Sequence, residues 1–355
     1  MDNFNFLNFT KYQYKRFLNN FFSFFSIFST QTIAQILYPP AMIYAWGVEN
    51  FGVWIFIISI PSTLAIFNIN LSTASRSEMS INHEKNNLFE VNKIFQNALS
   101  LVVLNLIIFT IVWITIISFQ EMSLKIFDKY DYQTIRLIFL IIIFSTYFTI
   151  LDQIFFCGIT FNGKVSTYNY IILLFDVSTK IFIPCSGLLF DSLIYPAIVY
   201  FILSAVKTII LFYFYNKNKS IISLSLKLFN FKYSLKLFKL SLSYYFDNIA
   251  GIIKNNGVII LFGLFFSPII VGLISTTKTL FYFLPMRFLD VLNNTMFYEY
   301  SKIFGKKNIV SLKKALKLQM LLSILILIVF VFISLLIGEE IYNFWTNGKY
   351  NLTFS

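Results

Sequence analysis

The sequence has little charge, one histidine and two cysteines among its 355 residues. Only 12% of the residues are charged and 57% are hydrophobic, whereas a soluble domain carries about 25% charged residues. Cys157 and Cys185 are isolated, and His83 is the single histidine. These absences argue against a soluble domain, a histidine-bearing metal site and a Ser/His or Cys/His catalytic set. We therefore predict a protein that is not an enzyme and has no catalytic residues, metal or cofactor.

Long apolar stretches dominate the chain instead, separated by short polar loops. Each is about twenty residues long, enough to cross ~30 Å of hydrocarbon as a helix. Nine such stretches begin near Phe21, Val53, Phe95, Ile135, Tyr168, Leu193, Ser241, Pro268 and Leu318. The 45 Phe and 21 Tyr are scattered through every stretch, as expected for lipid-facing side chains and interfacial anchors. We expect an all-α polytopic membrane protein that acts inside or across a bilayer.

Basic residues concentrate in alternate loops of this arrangement. The net charge is +12, and most Lys and Arg lie in residues 11–16, 76–93, 217–239 and 287–317, whereas acidic residues such as Glu339 fall in the opposite loops. The positive-inside rule therefore places the N-terminus in the cytoplasm. Because the charge follows the loops, it does not indicate nucleic-acid binding.

Residues 221–240 form a basic amphipathic strip with Leu and Phe on one face and Lys on the other. Such a strip is expected to lie along the cytoplasmic surface near anionic headgroups. The alternative is an ordinary basic helix that only fixes the orientation of the protein.

The two parts of the chain also show a weak internal repeat. Gly52 corresponds to Gly272 at an offset of 220, and Glu78 to Glu299 at an offset of 221. A unit of six helices gives a parallel repeat. We expect two six-helix bundles, the second cut short after about nine spans by a truncated chain; the alternative is a genuine nine-span protein. The predicted domains are a six-helix bundle at 1–215, a basic cytoplasmic amphipathic linker at 216–240 and an incomplete bundle of about three helices at 241–355.

The candidate functional charges within the predicted spans are Asp152, Asp176, Lys180, Lys207, Lys254 and Lys278. A charge near mid-membrane costs about 2.5–3.5 kcal/mol on insertion scales, so each needs a reason. Asp176 and Lys180 lie one helical turn apart and can neutralise each other. Lys207 lies near the inner boundary, where its stem can snorkel outward.

Lys254 and Lys278 lie near mid-span without an acid close in sequence. We interpret the four lysines as cations that line a cavity and bind an anionic group such as a phosphate or an acidic sugar. The alternative is charge pairing between helices, for instance Lys254 with Asp176 or Asp152, which stabilises packing and transports nothing. In addition, Tyr38-Pro39-Pro40 is predicted to interrupt the first span, since proline removes a backbone donor.

Four short segments carry a resemblance to a known family: Trp46-Gly47 with Phe51-Gly52-Val53-Trp54, Ser75-Arg76-Ser77-Glu78-Met79, Ser275-Thr276-Thr277-Lys278-Thr279-Leu280 and Phe344-Trp345-Thr346-Asn347-Gly348-Lys349. They resemble segments of Wzx-type O-antigen flippases of the multidrug/oligosaccharidyl-lipid/polysaccharide exporter superfamily, in the same order along the chain. Lys278 stands where the family pattern has Arg.

The resemblance implies twelve helices in two bundles around a central cavity, in a bacterial inner membrane. The implied activity moves an undecaprenyl-diphosphate-linked O-antigen or other polysaccharide repeat unit, used in lipopolysaccharide assembly, to the outer leaflet by alternating access. The implied partners are that lipid, the bilayer, a polysaccharide polymerase and a chain-length regulator. If transport is coupled to an ion gradient, Asp152 and Asp176 are the first candidates for the coupling residue. The alternative role of these two residues is charge pairing.

Two other functions stay open. A small-molecule or drug antiporter of the same superfamily would need acidic groups in its lumen, whereas this chain has at least as many in-span lysines as aspartates. A membrane enzyme of polysaccharide assembly, such as a polymerase, usually has a large catalytic loop; no predicted loop exceeds about thirty residues, and no DxD pair occurs.

Overall fold

The apolar stretches of the sequence form helices, and no strand occurs within the described residues. The computed structural model describes residues 11–64, 75–76, 78–79, 82–83, 86–118, 125–161, 165–217, 222–305 and 309–350. Some predicted features fall elsewhere: Ser77, linker residues 218–221 and the segment 351–355 lie outside the described residues.

The helices, in chain order, are α1 (Lys11–Leu64), α2 (Leu88–Ser118), α3 (Tyr132–Phe161), α4 (Val165–Leu189), α5 (Ile194–Lys217), α6 (Phe231–Ile252), α7 (Val258–Phe265), α8 (Pro268–Lys278), α9 (Leu284–Gly305) and α10 (Ile309–Trp345). A 3₁₀ turn, Lys125–Phe127, precedes α3. Two π-helical turns interrupt the later helices: Ile253–Gly257 joins α6 to α7, and Thr279–Phe283 joins α8 to α9.

Within the described residues, seven helices are long and apolar enough to cross a membrane. One of them, Phe28–Thr63 within α1, overlaps both predicted span one and predicted span two. The seventh predicted span is the continuous run of α6, the first π turn and α7, whose apolar part, Ile249–Phe265, is shorter. The prediction of an all-α polytopic membrane protein is confirmed.

The break in α1 occurs at Gly47, between predicted spans one and two, and not at Pro39-Pro40. Gly47 has φ 79° and ψ 171° inside α1, a region of backbone space that is essentially limited to glycine. The helix runs through the two prolines, so the predicted interruption there is wrong. Pro40 has no N–H to donate to the Ile36 carbonyl four residues earlier, and the indole Nε1 of Trp345 donates to that oxygen at 3.0 Å. A side chain from another helix thus replaces the missing backbone donor.

Contacts divide the chain into two compact units. The larger is Ala41–Ser275, and the smaller combines Met1–Pro40 with Thr276–Ser355. These bounds are not those of the predicted repeat, and the domain limits at 215 and 240 stay a prediction.

In the larger unit α3 packs against α5 and α2, and α4 packs against α5. A hydrophobic core lies where the N-terminal part of α2 meets the C-terminal parts of α3 and α5. Phe95 and Tyr215 stack there with their ring centroids 5.8 Å apart. Gly158 lies under the Tyr215 ring, where the Cβ of any other residue would overlap the ring. This packing fixes how α3 and α5 face each other in the candidate site.

The linker is only partly helical. Residues 222–230 are irregular, and α6 begins at Phe231. The Asn230 side chain caps this helix by accepting a hydrogen bond from the Tyr233 N–H at 3.0 Å, as asparagine commonly does. The predicted strip is therefore an anchored loop followed by a helix.

Candidate functional site

A buried ion pair joins α3 to α5. The Lys207 Nζ lies 2.8 Å from the Asp152 Oδ2, with 17% and 6% of the two side chains exposed. The Thr208 hydroxyl donates to Asp152 Oδ1 at 2.7 Å. Both carboxylate oxygens therefore have a polar neighbour, which a charge away from water needs.

The expectation that Lys207 snorkels outward is wrong. Because α3 and α5 pack side by side, Lys207 finds a carboxylate on the neighbouring helix. A partner on another helix leaves no pattern in the local sequence.

Asp176 and Lys180 form a second pair, within α4. Lys180 Nζ lies 2.8 Å from Asp176 Oδ2, and 33% of the Asp176 side chain is exposed. The helical spacing predicted this contact, and the structure confirms it. The alternative pairing of Lys254 with Asp152 or Asp176 differs from the structure, in which these carboxylates pair with Lys207 and Lys180.

Lys254 and Lys278 share an unusual backbone setting, although they belong to different compact units. Lys254 is exposed and lies within the π turn Ile253–Gly257. Lys278 is half-buried, ends α8 and directly precedes the π turn Thr279–Phe283. Its Nζ lies 5.9 Å from the ring centroid of Tyr282. π-Helical turns are rare in proteins overall, and those that occur are often found at functional sites.

The smaller unit contains polar contacts that the sequence reasoning missed. The Thr276 and Tyr342 hydroxyls, both buried, lie 2.6 Å apart. Arg287, which the sequence analysis placed in a basic loop region, lies in α9 with its guanidinium 4.5 Å from the Phe283 ring centroid and 3.7 Å from the Asp290 carboxylate. The spacing of Phe283, Arg287 and Asp290, four and then three residues, was the available signal.

The described residues hold no group of three or more His, Cys, Asp and Glu side chains that could bind a metal ion. Among the charged side chains described above, Lys207 and Lys180 form one-to-one ion pairs with Asp152 and Asp176. Lysine ammonium groups can bind or release an anionic group without coordination chemistry.

No family model matches the sequence, and no curated protein matches it. Among solved structures, the chain is similar to one described as the inward-facing conformation of a multidrug resistance MATE family transporter of the MOP superfamily. The TM-score is 0.60 and the identity 13%, with 91% of this chain and 72% of that chain covered. This likeness shows that the two chains share a fold.

Proposed function

We propose that the chain is a membrane transporter that moves an undecaprenyl-diphosphate-linked O-antigen or other polysaccharide repeat unit from the inner to the outer leaflet. The observation that carries the proposal is the position of Lys254 and Lys278 at π-helical turns of two different apolar helices. The fold shared with a MATE transporter supports transport as the general class.

The setting of these lysines suits an anionic lipid headgroup. A lysine within a span is costly to insert, and its retention is explained if the cation contacts a ligand. A π turn locally disrupts the regular i→i−4 hydrogen bonding, a distortion that a membrane helix tolerates where it lines a cavity or a polar path. A diphosphate offers several acceptor oxygens to an ammonium group. The sugar, too polar to cross lipid unaided, would then move through an alternating-access cycle.

The two candidate aspartates, Asp152 and Asp176, fit charge pairing better than substrate binding. Both carboxylates lie 2.8 Å from a lysine Nζ. With four lysines and two aspartates, the six candidate residues carry a formal charge of +2, which favours an anionic substrate. Ion coupling through Asp152 would require proton or cation binding to break the Lys207 contact.

A small-molecule or drug antiporter is the second candidate. It is favoured by the solved structure that the chain resembles, which is described as a multidrug resistance transporter. A lipophilic cation as substrate would need an available carboxylate, and the pairing of Asp152 and Asp176 with lysines argues against this role for them.

The test reconstitutes the full chain into vesicles with a fluorescent undecaprenyl-diphosphate oligosaccharide. Translocation is read as protection of the label from dithionite. We expect K254Q and K278Q each to slow translocation about 10-fold or more, the effect of losing ~1.4 kcal/mol of binding in the rate-limiting state, while K254R keeps most of the rate.

Lys313→Gln is the matched control, because Lys313 is exposed in the first turns of α10. Melting curves of each variant separate loss of transport from loss of folding. Wild-type rates in both K254Q and K278Q would refute the cationic site. Uptake of tetraphenylphosphonium without glycolipid translocation would establish the second candidate instead.

A further inference from the structure

We propose that residues 222–240, called the basic strip below, form a docking surface for the anionic phospholipid headgroups of the surrounding bilayer. The proposal is independent of the transported substrate. It rests on how the strip is anchored, what it exposes and where it lies along the membrane helices.

Polar side chains of α2 hold the irregular part of the strip. The Asn97 amide donates to the Leu228 carbonyl at 3.0 Å, and its Oδ1 accepts from the Asn230 N–H at 2.8 Å. The Leu228 N–H donates to Gln96 Oε1 at 2.8 Å, and the Ser223 N–H to Asn92 Oδ1 at 3.2 Å. Gln96 and Asn97 are themselves buried, so the loop is fixed rather than loosely tethered.

Apolar contacts anchor the same segment. Ile222 and Leu237 are buried in the core of the larger unit. The Ile222 carbonyl accepts a hydrogen bond from the Tyr215 hydroxyl at 3.1 Å. The Ser234 hydroxyl donates to Asn97 Oδ1 at 2.8 Å. Ser234, Leu237 and Ser241 thus define the inner face of α6, and its opposite face points away from the protein.

The outward face carries two parallel rows of side chains. Lys232, Lys236 and Lys239 are exposed, and their spacings of four and three place them on one side of the helix. Beside them Phe231 and Leu235, also four apart, are 72% and 43% exposed. No Asp or Glu occurs between residues 216 and 246. Exposed lysines beside exposed large apolar groups are typical of a helix at a membrane interface.

The basic strip lies at the ends of membrane-crossing helices, and this position indicates the headgroup layer as its partner. The strip contacts the first turns of α2 and the last turn of α5, both of which are helices of membrane-crossing length. The end of such helices is where headgroups lie. A soluble polyanion would be attracted by the lysines but would leave Phe231 and Leu235 in water, whereas a lipid surface accommodates both rows.

The first experiment measures lipid selectivity of the full chain in nanodiscs, using spin-labelled phosphatidylglycerol and phosphatidylcholine. We expect the wild type to prefer phosphatidylglycerol by about 3-fold or more at low salt, with the preference falling at high salt. The triple variant K232Q/K236Q/K239Q should lose most of it. The matched control K313Q/K314Q/K317Q also removes three exposed lysines and should keep most of it. Equal losses in the two variants, or no loss in the strip variant, would overturn the proposal.

A local readout complements this measurement. Phe231 is replaced by Cys and labelled with an environment-sensitive fluorophore in a Cys185→Ser background, since Cys157 is buried. We expect blue-shifted emission in phosphatidylglycerol nanodiscs relative to phosphatidylcholine nanodiscs, and no such difference in the strip triple variant. An emission shift caused by heparin but not by phosphatidylglycerol would show that the strip binds soluble polyanions, and would overturn the lipid assignment.

Discussion

Removing either partner of the Asp152–Lys207 pair should destabilise the larger unit, whereas removing both should not. The charges lie 2.8 Å apart with 6% and 17% of the side chains exposed. At an effective dielectric constant of about 20, Coulomb attraction at that separation is roughly 6 kcal/mol. Desolvation of both ions offsets most of this attraction, so the pair itself contributes little net stability.

Removing one partner of the pair should be much more destabilising than removing both. Lys207→Met leaves a buried carboxylate that keeps the Thr208 hydroxyl as a hydrogen-bond donor but has lost its cation, and Asp152→Asn leaves a buried ammonium. We expect each single substitution to cost about 3–5 kcal/mol of unfolding free energy, and the double variant D152N/K207M about 1 kcal/mol or less. The coupling energy of this cycle should therefore be large.

The assay is reversible unfolding of the purified protein in mixed micelles, with the four variants compared in one detergent. The Asp176–Lys180 pair provides the internal reference, because the Asp176 side chain is 33% exposed and the Asp152 side chain only 6%; there K180M should cost about 0.5 kcal/mol, as for an i,i+4 pair on a helix surface. The reasoning is refuted if the double variant is as unstable as the sum of its singles, or if K207M costs no more than K180M.

Two further predictions concern α1. Trp345→Phe removes the only side-chain donor recorded at the Ile36 carbonyl in the described residues and should cost about 1–3 kcal/mol; in a Pro40→Ala background, where a backbone N–H is restored, the cost should shrink in the same unfolding assay. Gly47→Ala should cost about 1–3 kcal/mol because of its positive φ. By contrast, Gly251 is helical and an added Cβ would meet no atom within 4 Å, so Gly251→Ala should be stabilising by up to about 1 kcal/mol.

Controls for these predictions come from the same chain. Trp113→Phe removes a buried indole N–H that has no hydrogen-bond partner among the described residues, so it should cost less than Trp345→Phe. An undiminished Trp345→Phe cost in the Pro40→Ala background would contradict the carbonyl-capping role. A neutral Gly47→Ala would contradict the assignment of the kink to backbone conformation.

Local spacing predicted some features well and others badly. Asp176 and Lys180 were predicted to pair because a helix brings residues four apart together, and they do. Lys207 was misjudged because its partner, Asp152, is on another helix. Pro39-Pro40 was misjudged for a similar reason: the donor that keeps the helix continuous is Trp345, far along the chain.

The candidate site also combines features that the sequence predicted with features that it did not. The sequence identified Lys254 and Lys278 as charges within spans, because charge and hydropathy are read directly from residue types. It did not predict the π turns beside them, because the shift from one hydrogen-bond spacing to another depends on how neighbouring helices pack. The sequence also did not predict that Gln96 and Asn97 are buried and anchor the basic strip, because this too depends on how neighbouring segments pack.

The sequence by itself determined that this is an all-helical membrane protein with an excess of basic groups, since apolar length and charge are local properties. Only the tertiary structure decided which of those charges are neutralised and which helix termini hold the basic strip. Helix geometry fixes what lies one turn away along a chain, but the rotation of each helix about its own axis, set by packing, decides what it meets on its neighbours.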